Sequence, residues 1–344
     1  MTLPLPRSYA PMEALLVGEL PVGGEWQYEP KWDGFRCLAF RDGAKVEVMS
    51  KAGKPLTRYF PDLSAMLQQV RAKKFVLDGE IVVPKDGELS FDELLLRIHP
   101  AASRIRLLST ESPASLIDFD LLVDAKGKSL VALPLAERRT ALEAFVAKEV
   151  PSSLRIKLSP ATTKMATVTR WFRSVGGGLD GVIAKQRDLP YQSGTRDGMR
   201  KMKSMRTAEC VVGGFRYASK GKVVGSLLLG LYDDGGLLHH VGFTSNVPND
   251  QKPLITKRLE GLVKPPGFTG QAPGGPSRWS TARSAEWQPL APKLVVEVQY
   301  DHFSGGRFRH GTSFLRWRPD KPPRRCTIAQ VEQEGRSAMK LLSR

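Results

Sequence analysis

The pattern of apolar and polar positions divides the chain into two parts that differ in their predicted secondary structure. Up to about residue 205, strand-like apolar runs and segments of helical periodicity follow one another in irregular order. Leu63, Met66, Leu67 and Val70, for example, recur at the spacing of one helix face. Because this order is not a regular βαβ alternation, it predicts an α+β fold with antiparallel sheets. The predicted strands cover 26–30, 35–41, 45–50, 75–77, 81–83, 115–123 and 182–184, and the predicted helices cover 63–70, 90–98, 134–147 and 163–175.

The second part, from about residue 206, is dominated by closely spaced strand patterns. Its clearest helical pattern covers 250–261, and a loop rich in Pro and Gly follows over 264–278. About five strands with one helix suit a small barrel such as an OB-fold. The sequence therefore predicts two domains, 1–205 and 206–344, with a helical tail from Thr327. The predicted strands of the second domain cover 210–217, 226–232, 237–243, 293–300 and 314–318.

The charge balance indicates a polyanionic partner. The 344 residues include 52 Lys and Arg against 35 Asp and Glu, which gives a formal net charge of +17. Nucleic acid is the first expectation for such a chain. An acidic membrane surface is the alternative, but the sequence offers no basic amphipathic helix, no apolar run of bilayer length and no secretory signal.

The cysteines favour a reducing compartment. Cys37, Cys210 and Cys326 are far apart in sequence and form no C-x-x-C pair. Neither a disulfide framework nor a zinc site is therefore expected. The histidines, including the adjacent pair His239 and His240, show no metal-ligand spacing. A cytoplasmic protein is the expectation.

Lys31 is the first candidate for chemistry. It stands in segment 29–36, a predicted turn before a strand, where a lone lysine is ordinarily solvated. Three later segments change that interpretation: 76–83 carries a carboxylate inside an apolar run, 179–185 carries Asp-Gly before a strand, and 199–203 carries alternating lysines. In this order, the four segments resemble the motifs of the covalent nucleotidyltransferases, the superfamily of DNA ligases, RNA ligases and mRNA capping enzymes. The resemblance implies that Lys31 attacks the α-phosphate of a nucleotide and carries the nucleoside monophosphate covalently.

Carboxylates and cations are expected around that phosphate. Glu80 and Asp180 each stand beside a glycine, and hard oxygen ligands of this kind suit Mg²⁺, with Mn²⁺ as the alternative. The resemblance assigns Glu80 to the ribose or the metal, and Asp180 to the metal. Lys201 and Lys203 alternate on a predicted strand, so both side chains can stabilise charge that develops on the phosphate. Solvated turn acids and a solvated basic strand are the alternatives.

The nucleophile must attack as a neutral amine, whereas an unperturbed lysine has a pKa of roughly 10.4. We expect partial burial, the cations of Lys185, Lys201 and Lys203, and a bound metal to lower the pKa of Lys31.

Further positions of the resemblance surround the rest of the nucleotide. Phe119 matches the base-stacking position, although a core phenylalanine is an almost equal alternative. Lys51 stands where relatives commonly have arginine, and lysine lacks the bidentate fork of that residue. Segment 314–321 resembles the last motif of DNA ligases, whose cations orient the pyrophosphate of ATP. The resemblance also implies contacts to ATP from residues outside segments 76–83 and 179–203. Glu29 would contact the adenine edge, Phe119 the base and Arg36 the sugar-phosphate side. Lys51 would contact a phosphate, and the pyrophosphate would be contacted by Arg316, Arg318 and Lys321.

Three other segments narrow the resemblance. Segments 9–12, 97–104 and 316–320 look like the compact ATP-dependent bacterial DNA ligases of the C type and the ligase domain of the bacterial end-joining enzyme. The absent cysteine cluster counts against the NAD-dependent ligases. The resemblance implies ATP and Mg²⁺, a nicked duplex DNA substrate, a monomer near the nucleoid, and a role in DNA repair with pathway proteins as partners. The candidate contacts to DNA phosphates are Lys220, Lys222, Arg307 and Arg309.

Two alternatives stay open. An RNA ligase or a capping-type guanylyltransferase shares the lysine motif, and a preference for GTP over ATP in label transfer would support the latter. A catalytically silent nucleic-acid-binding protein on the same fold would bind DNA without forming a protein–AMP adduct.

Overall fold

The computed structural model describes residues 3–175, 178–219, 221–274, 286–332 and 338–342. The chain divides into two compact units. The first contains Met1–Ser204 together with Gly335–Arg344, and the second contains Met205–Glu334. The chain therefore returns to the first unit after it has completed the second. Among the described residues, none of the helices has the length and apolar character needed to cross a membrane.

The first unit combines helices with two main sheets. One sheet has the strand order β4-β3-β5-β8-β9 and the other has the order β1-β11-β10-β2. Most pairings are antiparallel, and the parallel ones join β8 to β9 and β1 to β11. The elements are β1 Leu15–Leu16, β2 Trp26–Pro30, β3 Phe35–Asp42, β4 Lys45–Ser50, α1 Pro61–Gln68, β5 Lys74–Val82, β6 Pro84–Lys85, β7 Glu88–Leu89, α2 Phe91–Leu96, α3 Ala102–Glu111, β8 Ser115–Val123, α4 Leu135–Glu149, β9 Ile156–Leu158, α5 Met165–Val175, β10 Gly181–Gln186 and β11 Met199–Lys203.

Local signals explain several of these boundaries. The β3–β4 hairpin turns at Gly43, whose φ of 64° is the left-handed conformation that glycine adopts without steric cost. Ser90 caps α2 by accepting a hydrogen bond from the Glu93 N–H, as the capping pattern predicts. The helix over Ala102–Glu111 was not predicted, because its N-cap residue, Ala101, offers no side-chain acceptor.

Strand β5 runs through the whole Asp-Gly-Glu segment rather than stopping on either side of it. It is buried on both faces, because it lies in the middle of its sheet between β3 and β8. One face packs on a core that includes Phe60, Leu63 and Leu142 from the surrounding helices and loops. The other face carries the side chains of the candidate site.

The second unit is built mainly from antiparallel strands in the order β14-β13-β12-β16-β19, with β15 also paired to β12. Its core is a single apolar cluster, which contains Val212, Leu229 and Val296 from the central strands and Leu259 from the helix. The elements are β12 Arg206–Tyr217, β13 Val224–Tyr232, β14 Leu238–Thr244, α6 Lys252–Glu260, β15 Gln288–Pro289, β16 Val295–Tyr300, β17 Phe303–Ser304, β18 Arg307–Phe308 and β19 Ser313–Trp317.

The predicted helical tail is wrong for the residues that the structure describes. These residues form short 3₁₀ helices over Ile328–Gln330 and Ala338–Leu342. The apolar tail residues do not form one helical face because they serve two different cores. Val331 packs into the second unit, whereas Ala338 packs into the first.

Candidate active site

The candidate site lies in the first unit, where strands of its two sheets bring their polar faces together. Lys31 directly follows β2, and its backbone N–H donates to the Gly181 carbonyl at 2.9 Å. This bond places the Lys31 amine beside Asp180, with 3.1 Å between Nζ and Oδ2. Residues that are 149 positions apart in sequence thus meet at one point.

Two glycines allow this close approach. The φ of Gly34 is not positive, so this position needs glycine for space and not for its conformational freedom. A Cβ at Gly34 would lie 2.2 Å from the Ile81 carbonyl oxygen. Gly181 has a φ of 146°, and a Cβ there would lie 2.0 Å from the Met202 carbonyl oxygen. Gly34 thus lets the loop over 31–34, called the nucleophile loop below, lie directly against β5, and Gly181 lets β10 lie close to β11.

The pKa of Lys31 is shifted in the direction opposite to the predicted one. Burial disfavours the ammonium form, but the carboxylates of Asp180 and Asp33 outweigh burial and raise the pKa of Lys31. Glu80 acts in the same direction. The expected lowering by cations is absent because the groups closest to the amine are acids. In this state the nucleophile is a protonated ammonium that is paired with Asp180.

Glu80 has a strongly perturbed acidity. Burial raises its pKa to about 8, and the positive charges of Lys31 and Arg36 offset this only in part. The acids Asp33 and Asp78 raise the pKa further. Strand pairing explains the position of Glu80, which lies opposite Arg36 in the β3–β5 register. A carboxyl group of this kind is neutral near pH 7 until a cation arrives.

The carboxylates around Lys31 suit a divalent cation. Asp33 and Asp180 act electrostatically on one amine, and Glu80 acts on the same amine when it ionises. Carboxylate oxygens are the ligands that Mg²⁺ and Mn²⁺ prefer. The donor set therefore fits the predicted metal, and Asp33 is an addition that sequence reasoning did not assign to the site.

Several cations also lie near Lys31. Lys201 and Lys203 lie on the same face of β11, as predicted from their alternation. Burial lowers the pKa of Lys201, and the nearby charges of Lys51, Lys203 and Lys31 lower it further. Lys51 is tied to the same region, because its N–H donates to the Arg36 carbonyl at 3.1 Å. This cluster provides positive charge for a phosphate beside Lys31.

Lys185 does not join that cluster. Its ammonium is buried and contacts both carboxylate oxygens of Glu29, at 2.9 and 3.0 Å. Gln27 donates a further hydrogen bond to Glu29 at 2.8 Å. The sequence placed Lys185 among the cations that act on Lys31, but the structure pairs it with Glu29 because the two side chains are diagonal neighbours on β10 and β2.

Phe119 is brought to the site by an irregularity in β8. Asp78 pairs with Asp120 and Gly79 pairs with Asp118, so Phe119 is the extra residue of a β-bulge. Bulges re-aim side chains and are frequent beside active sites. The Phe119 ring is contacted by the Lys185 ammonium, 4.5 Å from the ring centroid. The Arg36 guanidinium lies 5.1 Å from the same centroid.

A second layer of residues holds Arg36. Asp78 is completely buried and accepts hydrogen bonds from Arg36 Nε and Nη2 at 3.0 and 2.8 Å. The Tyr191 hydroxyl donates to Asp78 at 2.7 Å and accepts from the Met12 N–H at 3.0 Å. Sequence reasoning missed Tyr191, since no local pattern links it to a position 113 residues away. Asp78 belongs to the Asp-Gly-Glu segment that the sequence singles out, but the sequence indicates no function for its side chain.

The remaining predicted site residues lie in the second unit. Arg316 is on β19 and pairs with Glu297 at 2.7 Å, while Arg318 and Lys321 both pair with Glu209. Arg318 also pairs with Asp320 at 2.7 Å. Of the candidate DNA contacts, Lys222 and Arg307 are exposed, Arg309 is partly buried, and Lys220 lies outside the described residues.

Comparisons with known proteins agree with this architecture. The family model described as ATP dependent DNA ligase domain matches residues 19–203, and the model described as ATP dependent DNA ligase C terminal region matches residues 220–321. DNA ligase C2 of Mycolicibacterium smegmatis is 44% identical, over 98% of this chain and 98% of its own length. The multifunctional non-homologous end joining protein LigD of Mycobacterium bovis is 31% identical, over 87% of this chain and 37% of its own length.

A solved structure supports the fold. A chain from a structure–function study of Lig E DNA ligases superposes with a TM-score of 0.54 at 17% identity, and the match covers 90% of this chain and 99% of that chain. The α+β adenylation domain followed by an OB-fold domain, predicted from the sequence, is thus confirmed. Together with the family models and the identity to DNA ligase C2, this shows that the chain belongs to the family of ATP-dependent DNA ligases.

Proposed function

We propose that this protein seals nicks with 5′-phosphate and 3′-hydroxyl ends in duplex DNA, and that Lys31 is the residue that carries AMP. The position of Lys31 near both acids and cations carries this proposal. Its amine contacts Asp180, and it lies close enough to the lysine cluster around Lys201 to lower the pKa of Lys201. Such a division of charge suits a nucleophile that has to lose a proton next to a negatively charged phosphate.

In the first step, Lys31 forms a phosphoramidate bond to the α-phosphorus of ATP, and pyrophosphate leaves. Asp180 holds the amine in place and is the nearest acceptor for its proton. Asp33, Glu80 and Asp180 would hold Mg²⁺ or Mn²⁺, and a bound ion would neutralise these acids and polarise the α-phosphate. Lys201 and Lys203 stabilise the charge that develops on the phosphate oxygens.

The two ends of the site, one for adenine and one for the phosphates, orient the nucleotide. Glu29, Lys185 and Phe119 form the end assigned to adenine, and Arg36 bridges to the ribose because it contacts the Phe119 ring and pairs with Asp78. Lys51 contributes to the phosphate end. Arg316, Arg318 and Lys321 are assigned to the pyrophosphate.

The later steps use DNA. AMP passes from Lys31 to the 5′-phosphate at the nick, and the 3′-hydroxyl then attacks that phosphate and releases AMP. The net charge of +17 supports binding to the duplex backbone, which should weaken as salt rises and depend little on sequence. Lys220, Lys222, Arg307 and Arg309 are the proposed phosphate contacts. The similarity to an end-joining protein supports a role in DNA repair, and we place the enzyme in the cytoplasm at the nucleoid as a monomer that works with repair proteins.

Label transfer tests the proposal. Full-length protein and Lys31→Ala are incubated with α-labelled ATP and Mg²⁺ or Mn²⁺, resolved on a denaturing gel, and then assayed on a nicked duplex. The expected result is a labelled band and a sealed strand for wild type, and neither for the variant. A band that survives in Lys31→Ala overturns the assignment of the nucleophile, and a preference for GTP overturns the assignment of the substrate. DNA binding without any adduct would indicate a silent binding protein.

A further inference from the structure

The last described residues of the chain, Ala338–Leu342, lie against the first unit beside the nucleophile loop. We call this 3₁₀ helix the tail segment. Ala338 is 8% exposed and packs in one apolar cluster with Trp32, Val82 and Ile117. Trp32 directly follows the proposed nucleophile in sequence. The tail segment therefore belongs to the same apolar cluster as the loop that carries Lys31.

The same segment joins two clusters that flank the loop. Leu341 packs against the cluster of Trp32 and also against the cluster that contains Tyr28 and Val182. Tyr28 lies on β2, which leads into the nucleophile loop, and Val182 lies on β10, which follows Asp180. Leu341 thus packs against the apolar cores next to β2 and β10. These are the strands beside Lys31 and Asp180, which form the 3.1 Å ion pair.

The orientation of the Trp32 ring depends on one hydrogen bond and on apolar packing. Among the described residues, the indole N–H donates to the Ser159 hydroxyl at 2.9 Å. The apolar cluster around the ring includes Val82 and Ile117 together with residues of the tail segment. Because Lys31 and Trp32 are consecutive, a rotation or shift of the indole moves the backbone from which the Lys31 side chain extends.

We propose that the tail segment is a positioning element for the nucleophile: by filling the apolar space around Trp32, it holds Lys31 at the distance and angle required for attack on the α-phosphate. This inference rests on the proposed role of Lys31. Misplacement of a reacting group by about 1 Å costs on the order of 100-fold in rate. Loss of the tail contacts should therefore act mainly on the step in which the Lys31 amine is the attacking group.

The three steps of ligation allow a specific test. In the last step the 3′-hydroxyl attacks a DNA strand that is already adenylated, so the amine of Lys31 forms no bond. Full-length Leu341→Ala and Leu341→Asp are compared with wild type in single-turnover formation of the protein–AMP adduct and in sealing of a pre-adenylated nick. Lys340→Ala is the matched control, because Lys340 belongs to the same segment but is exposed. Leu341→Ala keeps the test valid if the charged variant does not fold.

The expected result is that adduct formation slows by about 10-fold to 100-fold in the Leu341 variants, while sealing of the pre-adenylated nick stays within about threefold and Lys340→Ala behaves as wild type. An equal loss in both reactions would assign the segment to general stability, and unchanged adduct formation would remove any role, so either result overturns the inference. If wild type itself forms no adduct, the proposed function fails instead, which distinguishes the two failures.

Discussion

Asp118 is a buried acid in an apolar part of the first unit, and its replacement gives a quantitative prediction. The side chain is 0% exposed, and neither carboxyl oxygen has a hydrogen-bond partner among the described residues. Burial, and to a lesser degree the charge of Asp78, raise the pKa of Asp118 well above its ordinary value. The neighbouring Gly79 leaves the necessary room, because a Cβ there would lie 2.8 Å from Asp118 Oδ1. The neutral form of the carboxyl group is therefore favoured in the folded protein to higher pH than in the unfolded chain.

The sign and size of the effect follow from proton linkage. The folded state keeps the proton of Asp118, whereas the unfolded state loses it above a pKa of about 3.9. The contribution of this group to stability is complete below the unfolded pKa and decreases as pH rises towards the folded pKa. Between these values one proton separates the two states, so the free energy of unfolding falls by about 1.4 kcal/mol per pH unit. Asp118→Asn removes this dependence, since the amide is neutral in both states.

We expect the stability of Asp118→Asn relative to wild type to increase as pH rises above the unfolded pKa of about 3.9, by up to about 1.4 kcal/mol per pH unit. Guanidinium unfolding at several pH values, followed by circular dichroism, measures this difference. Asp197→Asn is the matched control, because Asp197 belongs to the same unit but is exposed. Parallel pH profiles for wild type and Asp118→Asn would refute the reasoning, because they would mean that Asp118 is ionised in the folded state.

Further predictions concern the nucleotide site. Lys185→Met should lower the free energy of unfolding, measured by chemical denaturation, by about 3–5 kcal/mol, because it leaves the buried Glu29 carboxylate without its ion-pair partner. The double variant Lys185→Met and Glu29→Gln should recover most of that loss. The rate of adduct formation at subsaturating Mg²⁺ should rise about fivefold from pH 7 to pH 8, because Glu80, with its pKa of about 8, ionises in this range. The Glu80→Gln variant should lack this rise. A pH profile of wild type that is flat over this range would contradict the assignment of Glu80 to the metal. Tyr191→Phe removes the hydroxyl that donates to Asp78 and should weaken ATP binding about fivefold in equilibrium titration, with little change in the rate of adduct formation from saturating ATP.

The sequence predicted those parts of the fold that depend on local patterns. Strands β3 and β4 and helix α2 lie close to the predicted ranges 35–41, 45–50 and 90–98, and the strand at Met199–Lys203 followed from alternation. Helix α3 was missed because it lacks a side-chain cap. The predicted helical tail takes the form of short 3₁₀ helices in the described residues, because its apolar residues belong to two different cores.

For the site, the sequence identified candidate residues but not their pairings. The contact between Lys31 and Asp180 follows from ordered motifs, yet the direction of the Lys31 pKa shift depends on which charges lie closest in space. The partner of Lys185 likewise depends on strand register. Tyr191 had no signal at all, because a hydroxyl that holds a second-layer carboxylate leaves no pattern in the surrounding sequence.

The ion pair between Lys31 and Asp180 also bears on chemical selectivity. An ammonium group has no lone pair, so a lysine kept in that form does not react with acylating agents, aldehydes or cyanate. In the absence of nucleotide and metal, Lys31 is therefore expected to be among the less reactive lysines of the chain, even though it is the one proposed to form a covalent bond. The acid that is proposed to hold the amine for catalysis should thus also protect it from adventitious modification between turnovers.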